Sequence, residues 1–179
     1  AKQCIDISFQ LDDLNGVIAA YANAGRLHLD NFSPEKAIET LEAGLLLANE
    51  QNARLRLVEL LPTLAEAYIK IANFERAEKI VERVLVLSRE LGDQSYVALA
   101  KSSAANLYYQ KGEYLKAQYY AYAASKLVRG SEESFDFDII IRTLLAKLQV
   151  DLELKSFQEF QQDINEALQT TQEKNAIPY

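Results

Sequence analysis

Reactive side chains are scarce in this sequence of 179 residues, which holds one histidine and one cysteine. A zinc site needs several histidine, cysteine or carboxylate ligands converging on one point. His28 has no second histidine to work with, and a pH-sensing role would need a carboxylate partner that the sequence does not name. It is read as a packing histidine. Cys4 lies on an apolar stripe with Ile7 and Leu11, the setting of a buried structural thiol. The densest carboxylates, Glu132, Glu133, Asp136 and Asp138, lack the glycine and the spacing of a calcium-binding loop. They are read as a solvated acidic loop that caps the next helix. The six glycines stand singly and not in a phosphate-cradling cluster, and no serine has both a candidate base and an orienting acid. No enzyme activity, no metal and no cofactor are expected.

The carriers of these groups are predicted to be helices. Three prolines and six glycines are too few for a β-sandwich, which turns about every ten residues. Apolar residues make up 49% of the chain and charged residues 25%, close to the balance of soluble globular proteins. No stretch approaches about 18 uninterrupted apolar residues, so no membrane-spanning helix is expected. The N-terminal run Ala1-Lys2-Gln3-Cys4 opens no signal peptide, and a cytoplasmic location follows as the default. With methionine absent, the initiator included, the sequence is expected to be a piece of a longer chain. A single cysteine forms no internal disulfide, so the fold must rest on core burial. The net charge of −7, from 26 acidic and 19 basic residues, suits no phosphate backbone. No direct nucleic-acid partner is expected.

An internal repeat organises the chain. At an offset of 80, Ile5, Ile7, Ser8, Leu11 and Asp13 fall on Leu85, Leu87, Ser88, Leu91 and Asp93. At an offset of 40, Leu64, Ala65, Tyr68 and Ala77 fall on Ala104, Ala105, Tyr108 and Ala117. Within each period the apolar spacing is helical: Leu61, Leu64, Ala65 and Tyr68 form one stripe, and Ala77, Ile80, Val81 and Val84 form the next. Short turns separate them, at Asn31-Phe32-Ser33-Pro34, Ala72-Asn73-Phe74-Glu75 and Lys111-Gly112-Glu113-Tyr114. Ser33 is a good N-cap, and Pro34 at the first helical position loses no needed hydrogen bond. Gly92 allows a left-handed helix end. Each period is thus a helical hairpin. Pro62 falls inside a predicted helix, where it should introduce a kink that shapes a groove or adjusts curvature.

These hairpins resemble the tetratricopeptide repeat, in its forty-residue version with lengthened helices. The pattern positions are Tyr21, Ala24, Gly25, His28, Ala37, Leu41 and Gly44 in the first repeat. In the second they are Leu61, Leu64, Ala65, Tyr68, Ala77, Val81 and Val84, and in the third Lys101, Ala104, Ala105, Tyr108, Ala117, Ala121 and Ala124. His28, Lys101 and the two valines depart from the pattern. A weaker fourth repeat takes Ala146 as its small residue, with Gln149 at the tyrosine position and Phe160 at the alanine position. The resemblance implies an all-α fold, a right-handed α-solenoid of antiparallel helical hairpins. Residues 1–11 would be the second helix of a truncated preceding repeat. Residues 12–51, 52–91 and 92–131 would be three repeats, and 132–179 a degenerate fourth with C-terminal helices.

In that family the first helices line a concave groove that holds a peptide or partner segment. Residues one and five places after the small position generally point into it. The resemblance therefore puts Arg26, Asp30, Glu66, Lys70, Asn106, Gln110, Lys147 and Asp151 in the groove, bordered by Asn23, Thr63 and Ser103. Tyr109 follows the packing tyrosine and should join them. Tyr108, Tyr114 and Tyr120 are expected in the core, and Tyr119 and Tyr122 against the next repeat. The mixed charge suits a peptide segment or a folded partner, while Glu66 would repel the C-terminal carboxylate that chaperone-binding members grip. The implied function is a non-catalytic protein–protein interaction scaffold within a larger signalling or regulatory protein. The other reading is a ligand- or peptide-sensing domain that controls an attached effector such as a transcription factor or nucleotide cyclase. The stripe Ile5, Ile7, Phe9 and Leu11, without its partner helix, suggests end-to-end self-association.

Overall fold

The computed structural model describes residues 13–130 and 137–153. Among them are seven α-helices and no strand: α1 (Leu14–Asp30), α2 (Pro34–Glu50), α3 (Arg54–Lys70), α4 (Phe74–Leu91), α5 (Gln94–Gln110), α6 (Tyr114–Gly130) and α7 (Phe137–Glu153). From α1 to α6 the joints are two or three residues long, which leaves consecutive helices antiparallel. Each odd-numbered helix also packs on the next odd one, α1 on α3, α3 on α5 and α5 on α7. The backbones of α2, α4 and α6 stand further apart, with no comparable approach among them. The odd helices therefore form the tight inner layer of a solenoid and the even helices its spread outer layer.

Every joint from α1 to α6 uses the same device. Phe32, Asn52, Ala72, Gly92 and Gly112 have φ of 53°, 52°, 55°, 75° and 75°, one left-handed residue every 20 positions. At four of them the next N–H donates back five residues to a helix carbonyl. These are Ser33 to His28 at 2.8 Å, Ala53 to Ala48 at 2.8 Å, Asn73 to Tyr68 at 2.9 Å and Glu113 to Tyr108 at 2.8 Å. The bonds satisfy carbonyls that a helix end otherwise leaves open. The Gly92 expectation holds, and three non-glycine residues adopt the same turn. Asp13, Asn73 and Asp93 cap the following helices through their side chains. Ser33 sits at its cap position without a cap bond; its hydroxyl donates to the Asn31 carbonyl instead, at 3.2 Å.

The left-handed turn carries a stability consequence at Phe32, whose side chain is 95% exposed. An L-residue there costs about 1–2 kcal/mol, and glycine avoids that cost while giving back about 0.5–1 kcal/mol in unfolded-state freedom. Phe32→Gly is expected to raise stability by roughly 0.5–1 kcal/mol in urea unfolding. A midpoint at or below the parental one would contradict this account of the turn.

Between paired helices, small residues meet bulky ones. A Cβ on Gly25 would land on the Leu41 side chain, and one on Gly44 would lie 2.6 Å from the Tyr21 Cβ. Further along, Ala100, Ala104, Ala105, Ala117, Ala121 and Ala124 are fully buried, as is Leu107. The central helix α3 is enclosed by α1, α2, α4 and α5, so it buries residues on every side, from Leu57 and Val58 to Tyr68 and Ile69. Pro62 is buried within α3, which runs as one helix from Arg54 to Lys70.

Tyrosines lock the layers together. The Tyr68 hydroxyl donates to Glu42 of α2 at 2.5 Å and accepts from Arg76 of α4 at 2.8 Å. Forty residues on, the Tyr108 hydroxyl donates to Glu78 of α4 at 3.3 Å, and Lys111 reaches the same carboxylate at 2.9 Å. The Tyr108 ring stacks on Tyr120 at 5.5 Å. Tyr119 is 67% exposed and meets Tyr120 edge-on, so the expectation that it packs on a further repeat is corrected. Burial first, then the Glu78 charge, pushes the Tyr108 phenol from its usual 10 up to about 12. Lys111 rises to about 12 as well, through hydrogen bonds to Glu113 and Glu78. Both groups hold their protons more tightly when folded, so their contribution is complete below the unfolded values and is lost as pH climbs through about 12. The melting temperature is expected to fall over that alkaline window, and Tyr108→Phe to fall less steeply. An ultraviolet titration should show one fewer late-ionising tyrosine in the variant.

Candidate functional site

The forty-residue period sets Arg26 of α1 and Glu66 of α3 side by side on the inner layer. Arg26 Nη1 donates to Glu66 Oε2 at 2.8 Å, and its Nη2 donates to Thr63 Oγ1 at 3.0 Å. Arg142 of α7 places Nη1 3.7 Å from the same Glu66 oxygen. Beside this cluster runs a groove of about 200 Å³ between α3, α5 and α7. Pro62, Ile69 and Leu99 form apolar parts of its wall, and Lys70, Asn106 and Gln110 give it polar edges. Ser103 also lines it, its hydroxyl turned back onto the Leu99 carbonyl at 3.0 Å. The arrangement offers hydrogen-bond donors and acceptors and charges of both signs over a length of three helices.

Arg26, Thr63 and Glu66 are thus brought together, and Glu66, Lys70, Ser103, Asn106 and Gln110 line one groove. Asn23 and Asp30 are exposed on α1, outside that lining. Tyr109 is not in the groove. It packs half-buried against Ala105, Ala117, Ala121, Ala146 and Val150, with its ring 5.7 Å from Tyr114. Lys147 and Asp151 are likewise corrected: they are 3% and 1% exposed, and they pair at 3.7 Å. The Lys147 ammonium lies 4.5 Å over the Tyr122 ring of α6. Burial pushes the Asp151 carboxyl up, against the pull of Lys147.

The physical reason is the way α7 is turned. Ile139, Thr143, Ala146 and Val150 bury one stripe of the helix, and Lys147 lies against the Tyr122 ring of α6 instead of facing the groove. The inner face of α7 carries Arg142 and Leu145, which the family pattern did not single out, and Gln149, which it placed at the packing tyrosine position. The usable signal was the buried stripe Ile139, Thr143, Ala146 and Val150, which fixes the orientation of α7.

His28 is half-buried near the end of α1. Among the described residues no three histidine, cysteine or acidic side chains converge to hold a metal, and no helix is long and apolar enough to cross a membrane. Cys4, the Ile5–Leu11 stripe, Phe160 and the acidic residues Glu132, Glu133 and Asp136 lie outside the described residues.

Stacked antiparallel hairpins with an inner and an outer layer make the chain an α-solenoid of helical repeats. Solved structures agree on that fold. The chain is similar to BtubC (BKLC) from P. vanneervenii, at a TM-score of 0.69 and 20% identity, covering 93% of this chain and 68% of that one. It is also similar to the apo form of RapI, at a TM-score of 0.67 and 16% identity, covering 96% of this chain and 69% of that one. No family model matches the chain, and no curated protein matches it.

Proposed function

We propose that the chain is a non-catalytic interaction module built of tetratricopeptide repeats, which binds a peptide segment or partner protein on its concave face within a larger signalling or regulatory protein. The observation that supports this reading is the groove itself. It opens on the inner layer, runs across α3, α5 and α7, and is lined by apolar wall and exposed polar side chains together. Such a surface suits an extended segment, whose apolar side chains and backbone amides can be met at once. Its mixed charges favour one partner over others more than they add raw affinity. The reading includes no reaction and no direct contact with nucleic acid.

The test compares the parent chain with Lys70→Glu, Asn106→Ala, Gln110→Ala in one triple variant. These side chains line the groove, and none belongs to the buried core. Affinity capture from source cells, read by mass spectrometry, should recover a protein with the parent that the equally stable variant loses by tenfold or more. Equal recovery by both would remove the groove as the binding site.

A further inference from the structure

Glu66 is held from two sides. Arg26 donates to its Oε2 at 2.8 Å from α1, and Arg142 stands 3.7 Å from the same oxygen on α7. These helices are not neighbours. α3 and α7 make no backbone approach to each other, nor do α1 and α7. α5 lies between α3 and α7 and presents Leu99, Ser102 and Ser103 to the groove at this point. The two serines are short enough for Arg142 to reach over them. One carboxylate thus ties together three first helices, from one end of the described inner layer to the other. The three side chains are a quarter to a third exposed, at 27%, 29% and 25%, so solvent and solutes reach them.

We propose that Glu66 is a displaceable latch that holds the concave face in its closed curvature. Its removal deletes both attractions, and with them a side-chain tie that spans α1, α3 and α7. An anionic group supplied from outside engages both guanidiniums only after Glu66 has let go. That is the difference in affinity between two states which a shift of curvature requires. This inference rests on three side chains and their distances, and not on what fills the groove.

The experiment measures the width of the inner layer directly. Nitroxide labels are placed at Asn23→Cys on α1 and Leu152→Cys on α7, both exposed positions, in a Cys4→Ser background. Pulsed dipolar spectroscopy then gives the distance between them. At an ionic strength of about 0.01 M, where charges act over about 30 Å, the parent should show one short, narrow distribution. Glu66→Gln and Arg142→Gln should each be shifted to longer distance by several ångströms and broadened. Lys79→Gln, which breaks the outer Glu75–Lys79 pair, should keep the parental distance. Circular dichroism confirms that each variant is folded. A parental distance in either Glu66→Gln or Arg142→Gln overturns the latch.

Discussion

Ala77→Arg is expected to unfold the chain or to remove most of its stability. Ala77 has no exposed surface and sits at the start of α4 in the main core, with Leu64, Val81 and Val84 in the same cluster. Overpacking there costs about 1–3 kcal/mol, and an unpaired buried charge adds roughly 3 kcal/mol or more. The sum approaches the ~5 kcal/mol at the low end of a domain's whole stability. Ala121→Arg, at the matching depth between α5 and α6, should behave alike. Lys79→Arg, on the exposed face of α4, should melt with the parent. A thermal melt decides the matter: an Ala77→Arg transition within a degree or two of the parent would mean that the hairpin is packed otherwise.

The second large effect is at Gly25, and it is conditional. A Cβ there collides with Leu41, itself fully buried, so Gly25→Ala is expected to cost about 1–3 kcal/mol, even though alanine is the better helix former. Leu41→Ala alone should cost roughly 2–5 kcal/mol by opening a cavity. The two are not independent. With Leu41 cut back to alanine, the obstructing carbons are gone and the new methyl occupies part of the space they leave. The double variant should therefore be more stable than the sum of the single changes predicts, by about 1 kcal/mol or more. Additive losses in urea unfolding would show that α1 and α2 relax apart instead of meeting rigidly at this point.

Why the sequence reads so well over most of its length follows from the same packing. Six helices joined by short turns keep the spacing at 40, so Arg26, Glu66 and Asn106 recur on the inner layer by counting alone. Counting fails at α7. Lys147 and Asp151 were placed by a local resemblance around Ala146, whereas the helix is oriented by its apolar stripe and by the Tyr122 ring beneath Lys147. Tyr109 fails for another reason: a large ring beside the small residues Ala105, Ala117 and Ala121 buries more area between helices than it could in a polar groove. The left-handed turns at Phe32, Asn52 and Ala72 had no glycine to announce them. They persist because the recurrent helix-ending hydrogen bonds outweigh the strain. Arg142 was invisible because its partner Glu66 lies two hairpins away, farther than any local pattern reaches.

The two layers of the solenoid are unequal in how they are joined. The odd helices press backbone against backbone, whereas α2 and α4 are linked at their surfaces by reaching side chains, such as the 2.7 Å bond from Arg83 to Asn49. Mechanically this is a strip with a stiff inner skin and a compliant outer one. When such a strip flexes, the long polar side chains outside can reseat without disturbing the core, while the inner skin acts as the hinge line. In a solenoid a small rotation from each repeat to the next sets the curvature, so small changes on the concave side add up along the stack. The contacts of Arg26 and Arg142 with Glu66 lie on that hinge line.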